Sequence, residues 1–182
     1  MERNNELYEK QVSSERIYDG RILHLYVDKV ELPNGKVSTR EYLRHQGAVC
    51  VLPVTDAGEA IMEEQFRYPF GKVLLEAPAG KVDPGEEPLA AAYRELAEET
   101  GCACEELIPL GDFYPSCAYT DEIIRLYLAK GLTVNEQKLD ADEFLTLRRI
   151  PLAELKQMLL RGEIPDGKTQ AILWRALAEY GM

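Results

Sequence analysis

The chain has 182 residues, 46% of them hydrophobic, which suits one domain with a proper core. Its formal net charge of −11 argues against binding to nucleic acid or to an anionic membrane, both of which call for basic surfaces. An anionic substrate would have to be met by metal ions or by a few placed arginines. No apolar run approaches the ~20 residues that span a bilayer, and Met1 to Glu6 is polar with no signal-peptide core, so the expectation is a soluble, cytoplasmic protein. The four cysteines (Cys50, Cys102, Cys104, Cys117) form no C-x-x-C pair, and neither His24 nor His45 stands at zinc-ligand spacing from them. They read as reduced, structural thiols. With two histidines and no G-x-S-x-G, a Ser-His-Asp or Cys-His mechanism has no footing, and carboxylate and metal chemistry remains.

Along the chain, residues 21–32 alternate partly and carry β-branched and aromatic side chains, Pro33-Asn34-Gly35 reads as a turn, and residues 37–43 return as a second strand. Residues 1–45 are therefore expected to form a small antiparallel sheet added to a larger unit, residues 46–182. Residues 48–54 are almost all apolar, as in a strand buried on both faces. Residues 60–66 and 73–75 follow as strands. A helix is predicted from Pro88 to Gly101, proline being tolerated in a first turn and glycine favoured just past the last. Its apolar face is Leu89, Ala92, Tyr93, Leu96 and Ala97. Strands at 107–114 and 123–130, an acidic loop at 136–143, a strand at 144–150 and helices at 152–160 and 168–180 complete the chain. In the last helix Ala171, Leu173, Trp174 and Leu177 are expected to pack inward. The order predicts an α+β protein with a mixed sheet covered by helices, without the regular alternation of a Rossmann domain.

The most specific signal lies between Gly80 and Cys102: Gly-x5-Glu-x7-Arg-Glu-apolar-x-Glu-Glu-x-Gly, filled by Gly80, Glu86, Arg94, Glu95, Leu96, Glu98, Glu99 and Gly101. Helical spacing puts Glu95, Glu98 and Glu99 close enough to share a hard cation. A bare Glu-Glu pair usually marks a solvated face, but three like charges in one turn destabilise a helix by roughly 0.2–0.5 kcal/mol per i,i+4 pair. Glu98 and Glu99 also face the unfavourable end of the helix dipole. Bound Mg²⁺ or Mn²⁺ would return that energy, and substrate phosphates would complete an all-oxygen shell.

This segment resembles the signature of the Nudix hydrolases, which cleave nucleoside diphosphates linked to another moiety. The resemblance implies an α/β/α sandwich. It also implies metal ligation by Glu95, Glu99 and the Ala79 carbonyl, with Glu98 as an accessory ligand or a group behind the ligands, Arg94 orienting the carboxylates and Glu86 bracing loop to helix. A general base or further ligand is implied in the acidic loop, where Glu143 fits best and Asp142 and Asp140 are alternates. Glu63-Glu64-Gln65-Phe66-Arg67-Tyr68-Pro69 and Leu75-Glu76-Ala77-Pro78-Ala79-Gly80 are similar to the ADP-ribose pyrophosphatase branch. In that branch Arg67 would meet the diphosphate, Glu76 would lie in the site, and Arg40 would reach across a dimer toward the adenosine.

Ser116 and Glu122 match a loop that shapes the terminal ribose pocket, but Cys117-Ala118 stand where the branch usually has Pro-Gly. That departure bears on the sugar more than on diphosphate hydrolysis. The implied activity is Mg²⁺-dependent hydrolysis of ADP-ribose, or of a close nucleoside diphosphate sugar, by a homodimer joined through its N-terminal sheet. A GDP-mannose or other sugar-nucleotide pyrophosphatase is the alternative. A non-catalytic ADP-ribose sensor would be expected to show a damaged motif and an attached DNA-binding module, and this motif is intact.

Overall fold

Residues 6–139 and 144–181 are described by a computed structural model and fall into two units. The first comprises the chain up to His45 together with Ser116–Glu122. In it β1 (Lys10–Asp19), β2 (His24–Glu31) and β3 (Val37–Arg44) form an antiparallel sheet in that order. The predicted turn joins β2 to β3, with Gly35 in the left-handed region at φ 79°. Strand β1 is not visible in the hydrophobic pattern. Its register slips between Gln11 and Ser13 and again between Arg16 and Tyr18, so side chains change face twice and no period of two survives. All of its residues are exposed. Tyr26 and Tyr42 stack with ring centroids 5.8 Å apart, and the Arg44 guanidinium lies over both rings.

The second unit comprises Gln46–Pro115 and the chain from Ile123. Its elements are β4 (Ala48–Pro53), β5 (Glu59–Arg67), a 3-10 turn over Tyr68–Phe70, β6 (Lys72–Glu76), β7 (Ala79–Lys81), α1 (Pro88–Thr100), β8 (Cys102–Phe113), β9 (Ile124–Val134), β10 (Leu145–Pro151), α2 (Leu152–Leu160) and α3 (Gly167–Glu179). One sheet runs β7-β4-β9-β8, with β4 parallel to β9 and the other pairs antiparallel. A second, antiparallel sheet runs β10-β5-β6.

Strand β4 is buried at every position because each of its faces meets a helix. Ala48, Cys50 and Leu52 pack with Leu155, Ile172, Leu173, Ala176 and Leu177 of α2 and α3. Val49 and Val51 pack with Ala91, Ala92 and Leu96 of α1. The alternation of a strand thus builds the helix–sheet–helix layering. The helix faces are turned somewhat from the sequence reading. In α1 the buried residues are Ala91, Ala92, Leu96, Glu99 and Thr100, whereas Leu89, Tyr93 and Ala97 are exposed. Two alanines let α1 approach the sheet closely, and that rotation carries Glu99 inward. In α3, Ile172 and Ala176 join Leu173 and Leu177 in the core, while Trp174 is 42% exposed and Ala171 only half-buried.

Gly101 ends α1 with φ 66°, and a Cβ there would lie 2.7 Å from the Asn135 carbonyl oxygen and 2.8 Å from the Gln137 nitrogen. Both the backbone angle and the lack of space call for glycine. Gly101→Ala is expected to lower the unfolding free energy by about 1–3 kcal/mol in urea titrations, or by more if the 135–137 segment cannot shift.

Candidate active site

Arg94 organises the loop and helix of the motif. Its guanidinium donates to both oxygens of Glu86 at 3.0 and 2.8 Å, to Glu95 at 2.8 Å, to Glu98 at 3.1 Å and to the Lys81 carbonyl at 3.0 Å. One planar fork therefore relieves the repulsion among the glutamates and ties the loop to the second turn of α1. Glu86 also accepts the Asp83 N–H at 3.0 Å. The Arg94 bond, helped by that backbone donor, draws the Glu86 carboxyl down to about 2.

Glu95 and Glu99 flank one short stretch of backbone. Glu99 is 3% exposed and accepts the Ala79 N–H at 2.9 Å. The Glu95 carboxylate rests on Gly80 so closely that a Cβ there would fall 1.9–2.2 Å from its carboxylate atoms. Gly80 has no positive φ, so glycine is needed for close approach and not for the turn. Glu98 is more exposed and meets Arg94. Among the described residues no three His, Cys, Asp or Glu side chains converge as a metal centre. Even so, two carboxylates held against the Ala79–Gly80 backbone make an all-oxygen donor set, which fits a hard divalent cation.

Arg67 and Glu76 form the second part. Arg67 ends β5 and Glu76 ends β6, and the two form a bidentate pair, both bonds 2.7 Å. Glu76 is 1% exposed and stands opposite the fully buried Glu63 in the strand register. Burial alone would raise its pKa, but Arg67 and Lys168 outweigh that and hold it below the usual carboxylate range. The Glu76 bond raises Arg67 in turn, helped by the charge of Glu63. Lys168, from the first turn of α3, also bonds Glu76 and reaches Asp166 at 3.1 Å. Asp166 caps α3, accepting from the Thr169 N–H at 2.9 Å and its hydroxyl at 2.6 Å, and that hydroxyl accepts the Ala77 N–H at 2.9 Å.

The stretch from Glu76 to Gly80 thus links the two parts. Sequence reasoning assembled Arg67, Glu76, Ala79, Arg94, Glu95, Glu98 and Glu99, but it missed Asp166, Lys168 and Thr169. Asp166 is a residue type that caps helices and stands just before the helix expected from residue 168, but nothing local says that the lysine two residues on turns inward. Arg40 belongs to the first unit, where it is bonded to Glu9 at 2.8 and 2.5 Å. Ser116 is also in that unit, its carbonyl accepting from the Tyr119 and Thr120 N–H groups at 3.3 and 3.2 Å. Among the described residues no non-glycine residue has positive φ, so the Cys117-Ala118 turn keeps negative φ and does not need the glycine of the Pro-Gly pattern. Asp140, Asp142 and Glu143 lie outside the described residues. Lys138, just before them, is tied to α1 by its N–H on the Glu98 carbonyl at 3.0 Å, and the Gln137 amide bonds the Glu99 carbonyl.

The Glu76–Gly80 stretch thus joins a partly exposed arginine, a glutamate-bearing helix and a closely packed glycine. The NUDIX domain model matches residues 44–171, and the nucleoside diphosphate sugar hydrolase N-terminal domain matches residues 9–43. The chain belongs to the Nudix hydrolase family. It is 46% identical to the ADP-ribose pyrophosphatase of Bacillus subtilis (strain 168), covering 90% of this chain and 89% of that protein. It is 47% identical to the methanol dehydrogenase activator of Bacillus methanolicus, covering 88% of each. A solved structure titled "Crystal structure of ADP compounds hydrolase" superposes with a TM-score of 0.83 over 96% of this chain and 97% of that one, at 23% identity, which shows the fold.

The Glu86 shift sets a pH dependence. Because its folded pKa is depressed, its contribution to stability is complete above the unfolded value and is lost as pH falls through the folded one. The thermal midpoint of the wild-type protein should exceed that of Glu86→Gln at pH 7, and the gap should close between about pH 4.5 and pH 2. A gap that stayed constant across that window would mean that the Arg94–Glu86 charge pair does not supply it.

Proposed function

We propose that this protein hydrolyses the diphosphate of ADP-ribose, or of a close nucleoside diphosphate sugar, with Mg²⁺ and with Mn²⁺ able to substitute, releasing AMP and ribose 5-phosphate from ADP-ribose. The observation that carries this reading is the pairing of Glu99 with the Ala79 N–H and of Glu95 with Gly80, one short peptide away from the Arg67–Glu76 pair. The ADP-ribose pyrophosphatase relative supports the choice of substrate.

Glu95, Glu99 and the Ala79 carbonyl would hold the metal, which when bound neutralises charge on the diphosphate and lowers the pKa of a water. The remaining roles fall to side chains. Arg67 is anchored on a buried carboxylate while remaining 36% exposed, a cation fixed in direction and open to an anionic ligand. Arg94 keeps Glu95 and Glu98 in place, Glu98 serving as an accessory ligand or as a group behind the ligands. A carboxylate of the acidic loop, Glu143 by preference, takes the proton of the attacking water. The anchoring of Asn135, Gln137 and Lys138 on the end of α1 supports that assignment, since the chain enters the acidic stretch beside the glutamate helix. Arg40 and Ser116 contribute to nucleoside and sugar recognition. The working form is a cytoplasmic homodimer, a reading supported by the fully exposed edge strand β1 with Val12, Ile17 and Tyr18 uncovered.

Incubating the protein with ADP-ribose, GDP-mannose and other nucleotide sugars, with Mg²⁺ and then with EDTA, and reading released monophosphate, tests the reaction and its substrate together. ADP-ribose should turn over fastest, and chelation should abolish activity. Glu99→Gln keeps an oxygen for the Ala79 N–H and should fold normally while losing activity on the order of a hundredfold or more. Near-normal turnover of Glu99→Gln would end its role as a ligand. Tight binding of ADP-ribose without turnover would favour the sensor reading.

A further inference from the structure

The first turn of α3 reaches the site from a helix that carries none of the motif residues. Asp166 caps it, Thr169 holds the Ala77 N–H through its hydroxyl, and Lys168 bonds Glu76. We propose that Lys168 is a positioning residue for the anion-binding arginine: it anchors Glu76 from inside, so that the Arg67 guanidinium stays aimed at the diphosphate with its charge still available. This inference rests on the diphosphate-hydrolase reading above.

Three observations carry it. Glu76 binds Arg67 through both oxygens, so the plane of the guanidinium is only as well fixed as that carboxylate. Glu76 ends the edge strand β6, where the ladder offers it no further neighbour on one side, and the contact from α3 supplies the missing support. The two cations also differ in reach, for the Lys168 side chain is 12% exposed and that of Arg67 36%. Lys168 therefore faces the protein and Arg67 faces the ligand.

Charge makes the arrangement more than a brace. Glu76, Asp166 and Glu63 all place negative charge near Arg67, and the Lys168 ammonium offsets part of it. Removing the ammonium should then weaken anion binding more than it slows the chemical step.

The test compares Lys168→Gln, which keeps a hydrogen-bonding group without charge, with Lys168→Arg, which keeps the charge. Calorimetric titration in EDTA with ADP-ribose and with inorganic diphosphate reads binding without metal, and steady-state assays with Mg²⁺ separate KM from kcat. Lys168→Gln should weaken both ligands by about tenfold, with a matching rise in KM and a smaller change in kcat. Lys168→Arg should stay within about threefold of wild type. In a Glu76→Gln background Lys168→Gln should add less than about twofold, because the lysine acts through that carboxylate.

A lower thermal midpoint with unchanged Kd and KM would reduce Lys168 to a helix anchor and overturn the proposal. So would a full tenfold loss in the Glu76→Gln background, which would make Lys168 a direct ligand contact. Wild-type protein that binds inorganic diphosphate but neither binds nor cleaves ADP-ribose would refute the substrate assignment alone, and the Lys168 comparison would still be read on diphosphate. Binding of neither ligand would overturn both.

Discussion

The peptide from Glu76 to Gly80 is the constraint on which the site depends. Its hydrogen-bonding and packing partners come from three places: β5 through Arg67, α1 through Glu99 and Glu95, and α3 through Lys168 and Thr169. Small residues make this possible. Ala77, Pro78, Ala79 and Gly80 leave room for the Glu95 and Glu99 carboxylates and the Thr169 hydroxyl to close on the backbone. A hydrogen bond from a peptide N–H to a buried carboxylate is worth about 1.5–3 kcal/mol, and losing it would leave a carboxylate stranded in a dry interior. The segment is thus held by interactions that are expensive to break and fixed in direction, as a preorganised site requires.

Charge placement reconciles an acidic protein with an anionic ligand. The net charge of −11 belongs to the whole surface, whereas the site sets three cations, Arg67, Arg94 and Lys168, among its carboxylates. Arg94 is committed to four internal acceptor groups and is raised by them, the Glu86 bond first. Lys168 is raised as well: burial would lower it, but Asp166, the neighbouring buried Cys50 and Glu76 prevail. These two cations stabilise the frame. Arg67 is the most exposed of the three and has a buried counter-charge behind it, an arrangement that suits contact with an anion.

Where sequence and structure agree, the signal was local and periodic. The apolar run at 48–54 is the doubly covered strand β4, the turn at Asn34-Gly35 is a turn, and α1 starts and stops at Pro88 and Gly101 because proline and glycine act on the backbone directly. What escaped was non-local. Two bulges erased the alternation of β1. Alanines on α1 turned its buried face toward Glu99 instead of Leu89 and Tyr93, a choice made by how closely a helix can approach a sheet and not by hydrophobicity. Lys168 meets Glu76 across 92 residues of sequence, and no spacing rule links a lysine near a helix start to a distant strand end.

The same distinction applies to specificity. The glutamate helix and its loop are specified by a dense motif, and each of its members has a partner within the second unit, so the catalytic frame is a property of local sequence. The Ser116–Thr120 turn is not. Where a Pro-Gly pair would preset one backbone angle and permit a left-handed one, Cys117-Ala118 reach a turn that keeps negative φ, closed by two N–H bonds to the Ser116 carbonyl. The turn therefore survives the substitution, and what changes is chemistry: an exposed thiol and a methyl group now stand where the pattern has a pyrrolidine ring and a bare Cα. The loop remains folded while its surface chemistry differs, whereas the Gly80–Gly101 motif finds its partners within the second unit.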